Sequence, residues 1–249
     1  MALDERPLEY RQIWEGKPVL RALYADYYRM IRDRCRPGRT LEIGGGSGNF
    51  KSFAADVVST DILFAPWLDA VADAQRLPFV AGSFDNLVLF DVLHHIEAPL
   101  LFLREAERVL RPGGRLIMVE PAITPASGFF YRHFHPEPVV MAADPLAVGE
   151  SDARRDAFDA NQAIPTLLCW RDRDRLAQTV PGLRLVERRR IALFAYPLSG
   201  GFRPWSALPA AVVAPVLSVE RWLEPILGPL MAFRLIATFE RLTPDTAAG

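Results

Sequence analysis

Residues 40–50, which read TLEIGGGSGNF, decide the fold prediction for this chain. The first of them form a short apolar run typical of a buried parallel strand, and Gly44, Gly45, Gly46 and Gly48 follow at once. Glycine is needed where the backbone takes a positive φ or where a ligand presses against it. A strand that runs into such a turn is typical of the opening of a nucleotide-binding βα unit, although a glycine cluster alone is a weak signal.

Composition excludes several classes of protein. The 249 residues are half hydrophobic and carry a net charge of −1, which suits one large α/β domain or two small ones and gives no basic face for a nucleic-acid partner. Cys35 and Cys169 stand alone and far apart, so we expect a reducing cytoplasm and neither a disulfide framework nor a zinc site.

No signal peptide or membrane span is predicted. The N-terminus is charged and lacks an apolar signal core. The longest uncharged stretch, residues 204–219, has 16 residues and contains prolines. A spanning helix needs about 20 apolar residues, so we predict no transmembrane segment.

Alternating strand and helix patterns predict a doubly wound, mainly parallel α/β sheet. The predicted strands are residues 40–43, 57–61, 68–72, 85–90, 115–120, 183–194 and 232–242. Helices are predicted within residues 7–36, at 97–110, at 164–179 and, in pieces, within 197–229. Residues 121–160 show no clean period.

The residues around the glycine turn favour a ligand without a pyrophosphate. Position 49 is Asn, where a dinucleotide-binding dehydrogenase wants Gly or Ala. Glu42 can favour an ammonium group, and the glycine amides can meet a carboxylate. Asp61, at the end of the second strand, can accept hydrogen bonds from ribose hydroxyls. Asp73 can accept one from an adenine amino group.

Five collinear segments then carry a family resemblance: LEIGGGSG, STDI, ADAQRLPF, GSFDNLVLFDVLHHI and LREAERVLRPGGRLIMVEP. Together they resemble the class I S-adenosylmethionine-dependent methyltransferases, and most closely the bacterial group that methylates small molecules. The resemblance covers residues 38–121. One departure is the short link between the first two strands, where the usual helix must be trimmed.

The resemblance implies a Rossmann-like methyltransferase fold of seven strands, one of them antiparallel, in a single domain over residues 1–249. It implies an N-terminal helical cap at 1–37, a cofactor-binding half at 38–121, and substrate-side insertions at 122–182 and 197–229 that form a helical lid. The implied cofactor is S-adenosyl-L-methionine. The implied cofactor-binding residues are Glu42, Gly44, Gly45, Gly46, Gly48, Asp61, Ile62, Asp73, Ala74 and Asp91.

Candidate catalytic residues follow the fourth strand, at the sheet edge where ligands bind. His94 or His95 is a possible general base, since an imidazole titrates near neutral pH. The alternative is that the pair packs the strand–helix junction or contacts the cofactor. Residues predicted to contact the substrate are Tyr10, Trp14, Glu120, His133 and His135.

Residues 133–137 read HFHPE, a spacing that invites a metal interpretation. Nothing nearby completes a site and the prolines favour a loop, so we predict no metal and leave pocket lining and loop packing open. Residues 205–233 hold only three charges, on Glu220, Arg221 and Glu224. We expect helices buried on the sheet edge or an apolar substrate pocket rather than a membrane-docking surface, because such a surface requires a cationic face, which this stretch lacks.

The sequence therefore predicts methyl transfer from S-adenosylmethionine to O, N or C of a hydrophobic small molecule, either quinone-like or a secondary metabolite. A protein that binds the cofactor without catalysis, as a partner or regulatory subunit, is the alternative. The acceptor and the oligomeric state stay open.

Overall fold

The computed structural model describes residues 4–149 and 155–243 and is built on a seven-stranded sheet. The strands are β1 Thr40–Ile43, β2 Val58–Asp61, β3 Ala70–Val71, β4 Phe84–Phe90, β5 Leu110–Pro121, β6 Leu183–Ile191 and β7 Arg234–Arg241. Their spatial order is β3-β2-β1-β4-β5-β7-β6, and only β7 runs antiparallel to its neighbours. This confirms the predicted doubly wound, mainly parallel sheet.

Helices cover the sheet and extend beyond it. They are α1 Arg6–Gly16, α2 Pro18–Arg32, α3 Asn49–Phe53, α4 Pro99–Val109, α5 Pro125–Phe134, α6 Ile164–Thr166, α7 Arg173–Thr179, α8 Ala195–Ser199 and α9 Val213–Met231. A 3-10 turn, Leu93–His95, follows β4. No helix within residues 4–149 and 155–243 is long and apolar enough to cross a bilayer.

The central strands bury apolar side chains on both faces. In β4, Leu87 and Leu89 enter one core together with Phe102 of α4, while Val88 enters a second core together with Leu20 of α2. Successive side chains of a strand point to opposite faces, so an uninterrupted apolar strand needs helices on both sides. This explains why β4 reads as a continuous apolar run.

The link between β1 and β2 is short, as predicted. Its helix α3 has only five residues, and Phe50 is fully buried against α2 through Tyr28, with ring centroids 5.1 Å apart. The trimmed helix leaves the glycine turn close to β2.

Several predicted boundaries differ from the structure. Residues 121–160 contain a helix that periodicity missed, α5, which begins with a capping box between Thr124 and Ser127. The predicted strand at 183–194 stops at Ile191, and β5 begins at Leu110, which pairs with Phe84, rather than at residue 115. These ends are set by pairing partners distant in sequence.

The predicted N-terminal helical segment forms two helices, α1 and α2. Between them lies Lys17, whose buried ammonium donates hydrogen bonds to the carbonyls of Gly201, Arg203 and Trp205 at 2.6, 2.6 and 2.8 Å. Three carbonyl acceptors satisfy the three donors of the ammonium group. The N-terminal cap is thereby tied to the loop at residues 201–205.

An ion pair between a buried guanidinium and a partly exposed carboxylate joins the ends of β4 and β7. Arg234, 1% exposed, donates from both terminal nitrogens to the carboxylate of Asp91, with Nη2 at 2.8 Å from Oδ2. The guanidinium carbon lies 4.0 Å from the ring centroid of Tyr196, and Asp91 has a φ of +57°. A side chain other than glycine accepts this backbone conformation only where its surroundings impose it.

We expect Arg234→Met to lower the free energy of unfolding by about 3–5 kcal/mol, because the Asp91 carboxylate loses its partner among aromatic rings. Urea unfolding followed by circular dichroism measures this. Arg173→Met, at an exposed ion pair, should change the value by less than about 0.5 kcal/mol. The double variant Arg234→Met/Asp91→Asn should recover much of the loss. Equal losses in Arg234→Met and Arg173→Met would contradict a structural role for the pair of Arg234 and Asp91.

Candidate functional site

A cavity of about 970 Å³ opens at the carboxyl ends of β1, β2 and β4. Its floor is the glycine turn and the strand ends, and its outer wall comes from α1, α5, α8 and the loop at residues 201–205. Ligands of open α/β sheets bind at this edge, where the strand order reverses. The seven-stranded order β3-β2-β1-β4-β5-β7-β6 reverses between β1 and β4.

The glycine turn excludes side chains. Gly44 has a φ of +73°, and a Cβ there would lie 2.2 Å from Cγ2 of Val92. A Cβ on Gly45 would lie 2.2 Å from Oγ of Ser59. Gly44, Gly45 and Gly46 line the cavity, whereas Gly48 lies under the Trp67 ring. The turn therefore presents bare backbone to a ligand.

Glu42 lies at the end of β1, 4% exposed, with Oε2 bonded by the Ser59 hydroxyl. Burial raises the pKa of Glu42 to about 7, and the Ser59 hydrogen bond opposes the rise. This carboxyl group lines the cavity beneath the glycine turn. It is placed to meet a cationic group, whose charge would favour the ionised form.

Asp61 ends β2 with both carboxylate oxygens already anchored. Oδ2 accepts from the amide of Gly46 at 2.8 Å, and Oδ1 accepts from the amide of Leu63 at 2.9 Å. Burial raises the pKa of Asp61, and these backbone hydrogen bonds counter it. Each oxygen keeps a second lone pair for a ligand hydroxyl.

The remaining predicted cofactor residues also line the cavity: Ile62, Asp73, Ala74 and Asp91. The Oδ1 atom of Asp73 accepts from the amide of Gln75 at 2.8 Å. The carboxylate of Asp91 is different, because both of its oxygens bind Arg234. Arg234 therefore already neutralises the negative charge of Asp91, which we predicted to contact the cofactor.

His94 and Glu120 form a hydrogen-bonded dyad at the cavity wall. Glu120, 0% exposed at the end of β5, accepts from the amides of Val92 and Leu93 through Oε1, both at 2.8 Å. Its Oε2 lies 2.7 Å from Nδ1 of His94. The dyad fixes the orientation of the imidazole, and a proton on Nδ1 would leave Nε2 as the acceptor.

The free edge of His94 faces a second carboxylate, on Glu137. Nε2 of His94 is 3.6 Å from Oε2 of Glu137, and that oxygen also accepts from Gln162. Burial alone would lower the pKa of His94, but the Glu120 hydrogen bond and the charges of Glu120, Asp91 and Glu137 together raise it. The sequence singled out Glu137 only as part of the HFHPE segment, and Gln162 was missed because it belongs to no recognised motif.

His95 lies beside His94, with ring centroids 4.1 Å apart. Burial, reinforced by His94, lowers the pKa of His95 to about 3. Its Nδ1 is buried and has no hydrogen-bond partner among the described residues. A group of such low basicity is a poor proton acceptor at neutral pH. Of the two predicted bases, His94 is therefore the better suited to accept a proton.

The predicted substrate residues are divided. Tyr10 and His135 line the cavity. Trp14 packs behind the wall on Tyr24 at 5.5 Å between ring centroids, and Glu120 lies behind His94. His133 is on the exposed side of α5, with Nδ1 2.7 Å from the carbonyl oxygen of Phe129. Direct substrate contact is therefore favoured for Tyr10 and His135.

His94, His95 and Glu137 also place three possible metal-ligand atoms within 4.8 Å of one another. A divalent ion would find nitrogen and oxygen donors of a suitable kind there. Glu137 also accepts a hydrogen bond from Gln162. That no metal binds stays a prediction.

Several known proteins with similar sequences are methyltransferases. Residues 41–118 match the family model described as a methyltransferase domain. A demethylmenaquinone methyltransferase from Renibacterium salmoninarum is 29% identical over 162 residues, 58% of this chain and 65% of the relative. One from Beutenbergia cavernae is 38% identical over 109 residues, 38% of this chain and 45% of the relative. The chain thus matches less than two thirds of the length of these curated relatives.

A solved S-adenosylmethionine-dependent methyltransferase from Thermotoga maritima has the same fold. Its TM-score is 0.53 at 13% identity, over 96% of this chain and 100% of the solved one. The collinear match and the shared fold agree on one family. Residues 41–118 therefore carry a methyltransferase domain, and the chain has the fold of S-adenosylmethionine-dependent methyltransferases.

The cofactor of this methyltransferase family, S-adenosylmethionine, fits the residues present. The turn that would reject a Cβ leaves space for a ligand against the backbone. Glu42, Asp61 and Asp73 supply carboxylates along the floor of one cavity. Amino, hydroxyl and ammonium groups, which the cofactor carries, are the donors that such carboxylates accept.

We expect Asp61→Ala to weaken S-adenosylmethionine binding by about tenfold or more, because a buried acceptor of two hydroxyl hydrogen bonds is lost. Isothermal titration calorimetry measures the affinity. Asp56→Ala is the matched control, since that aspartate is exposed and pairs with Arg32. If both variants bind like the wild type, Asp61 does not hold the ribose.

Proposed function

We propose that this protein transfers the methyl group of S-adenosylmethionine to a hydrophobic small molecule that must lose a proton, such as a quinol-like or other hydroxyl-bearing secondary metabolite. The observation that carries the proposal is the imidazole of His94, held from behind by Glu120 and lining the cavity. A demethylmenaquinone acceptor, as the names of two relatives indicate, belongs to this chemical class.

The cofactor, when bound, supplies a methyl group already activated on a positively charged sulfur. The chain then has to orient the acceptor, exclude water and take up a proton. Holding two reactants in line is worth about 7–11 kcal/mol of the barrier. We assign the ribose to Asp61, the adenine to Asp73, and the amino-acid end to Glu42 and the glycine turn.

Proton removal falls to His94 in this proposal. Nε2 accepts the acceptor's proton, and Glu120 stabilises the imidazolium that results. Glu137, on the far side of Nε2, adds a second negative charge. Because His95 has a pKa of about 3, we assign it to the cavity wall rather than to proton transfer.

The acceptor side is apolar. Phe90, Phe130, Tyr196, Phe202 and Trp205 line this part of the cavity. We infer that the cavity-lining residues of the segments 122–182 and 197–229, of which residues 150–154 lie outside the described range, form its substrate-side walls; in the second segment these residues lie within 197–205. The Lys17 clamp holds part of this wall in place, and Tyr10 on α1 closes over it.

A protein that binds the cofactor without turnover is the alternative, and a cofactor-binding measurement combined with a methyl-transfer assay separates the two. A nucleic-acid substrate is not proposed, since the net charge is −1. Cys35 and Cys169 are free, which suits the reducing bacterial cytoplasm as the location.

We expect His94→Gln to lower kcat about 10²–10⁴-fold while cofactor affinity stays within a factor of about two, because only proton transfer is lost. Release of S-adenosylhomocysteine over a panel of hydroxylated naphthoquinols and phenols measures turnover. His133→Gln is the matched control, as this exposed histidine lies on the outer side of α5.

Two outcomes would contradict this assignment. Full activity of His94→Gln would move the base elsewhere or leave positioning as the whole mechanism. Loss of wild-type turnover on treatment with EDTA would favour a metal ion at His94, His95 and Glu137.

The pH dependence supplies a separate prediction. A base must be deprotonated to act, so the rate rises as pH passes upward through the pKa of His94, which lies above its ordinary value of 6.5. Glu120→Gln removes the negative charge that helps to raise this pKa. We therefore expect the acid limb of the kcat/KM profile to move to lower pH, with kcat about 10²-fold lower because the tautomer is no longer fixed. An unmoved acid limb would contradict the dyad.

A further inference from the structure

Helix α9 buries two of its three charged side chains and exposes several of its large apolar ones. Glu220 and Glu224 are 1% and 8% exposed. On the opposite side Trp222, Ile226 and Leu230 are 74%, 68% and 57% exposed. A surface helix usually hides its apolar stripe against the core. Helix α9 does so only in its first half, through Val213 and Leu217. The predicted burial of this segment, at the sheet edge or around a pocket, is therefore wrong for Trp222, Ile226 and Leu230.

The inward orientation is enforced by the acids. Glu220 accepts hydrogen bonds from the amides of Phe194 and Ala195, and Glu224 accepts from the amide of Ala192 and from Arg189. These amides end β6 and begin α8, where buried donors need acceptors. The helix cannot turn its apolar side inward without abandoning them.

Helix α5 packs against α9 and extends the exposed surface. Phe129 and Phe134 are 59% and 55% exposed, with ring centroids 6.3 Å apart. We call the set formed by Phe129, Phe134, Trp222, Ile226 and Leu230 the apolar outer face. Phe130, one helical turn before Phe134 and 5.5 Å from it between ring centroids, lines the cavity.

The cavity mouth adjoins this face. Trp205 lines the cavity and is 47% exposed. Its neighbour Arg203 donates a hydrogen bond to the carbonyl of Phe134 at 2.6 Å, which joins the mouth loop to α5. A ligand that leaves the cavity on this side emerges beside exposed aromatic rings.

The exposed charges on α5, α9 and the loop before α9 are all positive. Within residues 125–134 and 200–231 the carboxylates are Glu220 and Glu224, both buried, whereas Arg132, Arg203 and Arg221 are exposed. Arg221 is partly neutralised by Asp26 at 2.7 Å. Exposed tryptophan and phenylalanine with arginines around them and no exposed carboxylate match a bilayer surface of anionic lipid.

We infer that the apolar outer face lies on an anionic lipid bilayer and brings the cavity mouth to the membrane, where a hydrophobic acceptor dissolves. This inference rests on the proposed function, since it takes the acceptor to be lipid-soluble. A second copy of the chain is a poorer occupant, because a symmetric contact would bring the arginines of both copies together. Helix α9, at 19 residues, is about 28 Å long and would lie in the plane of the interface.

Vesicle flotation with the whole protein tests the inference. The probes are vesicles of phosphatidylcholine alone and of phosphatidylcholine with phosphatidylglycerol. We expect the wild type to float with the anionic vesicles. Trp222→Gln/Ile226→Gln should bind them at least about tenfold more weakly, since two large apolar side chains are removed. Val80→Gln, at a 76%-exposed valine beyond the opposite edge of the sheet, is the matched control and should bind like the wild type.

Two further measurements separate the possible failures. Calorimetry with S-adenosylmethionine and turnover of a water-soluble acceptor should be unchanged in the double variant, so loss of both in the wild type would refute the proposed function instead. Light scattering reports the oligomeric state. A wild-type dimer that the double variant dissociates, or vesicle binding equal in all three proteins, would overturn the membrane assignment.

Discussion

The buried carboxylate of Glu120 joins the two central strands of the sheet at the edge where the cavity opens. It ends β5, yet its hydrogen-bond donors are the amides of Val92 and Leu93 and the imidazole of His94, all just beyond β4. A carboxylate with no exposed surface is tolerated only when such donors surround it. The same contacts that satisfy it also shape the turn and aim the histidine, so stability and chemistry share one group.

The floor and the wall of the cavity are built by different means. The floor is backbone and short side chains from β1 and β2, where Gly44 and Gly45 have no space for a Cβ. The wall comes from helices and loops distant in sequence, held by polar contacts such as those of Lys17 with the carbonyls of Gly201, Arg203 and Trp205. The floor therefore suits a fixed cofactor, while the wall is the part that can differ between acceptors.

Two further ion pairs, each with one buried member, hold elements of the fold together. Arg234 with Asp91, and Glu224 with Arg189, each hold the end of one element to another. Breaking such a pair leaves an uncompensated charge, which is why these contacts determine orientation so firmly. In α9 the consequence is an exposed apolar surface next to the cavity mouth. Under the inference above, this surface places the mouth at the bilayer in which a hydrophobic acceptor dissolves.

The sequence by itself determined the succession of strands and helices along the cofactor half, the glycine turn and the acid at the end of β2. These depend on local patterns: an apolar run, glycines where a side chain cannot fit, and a carboxylate at a strand end. Tertiary structure alone decided that Asp91 pairs with Arg234, 143 positions away, that His94 meets Glu120 and Glu137, and that the apolar side of α9 faces outward. The physical reason is that periodicity shows a helix has two faces, whereas the partners brought by the fold determine which of them is buried.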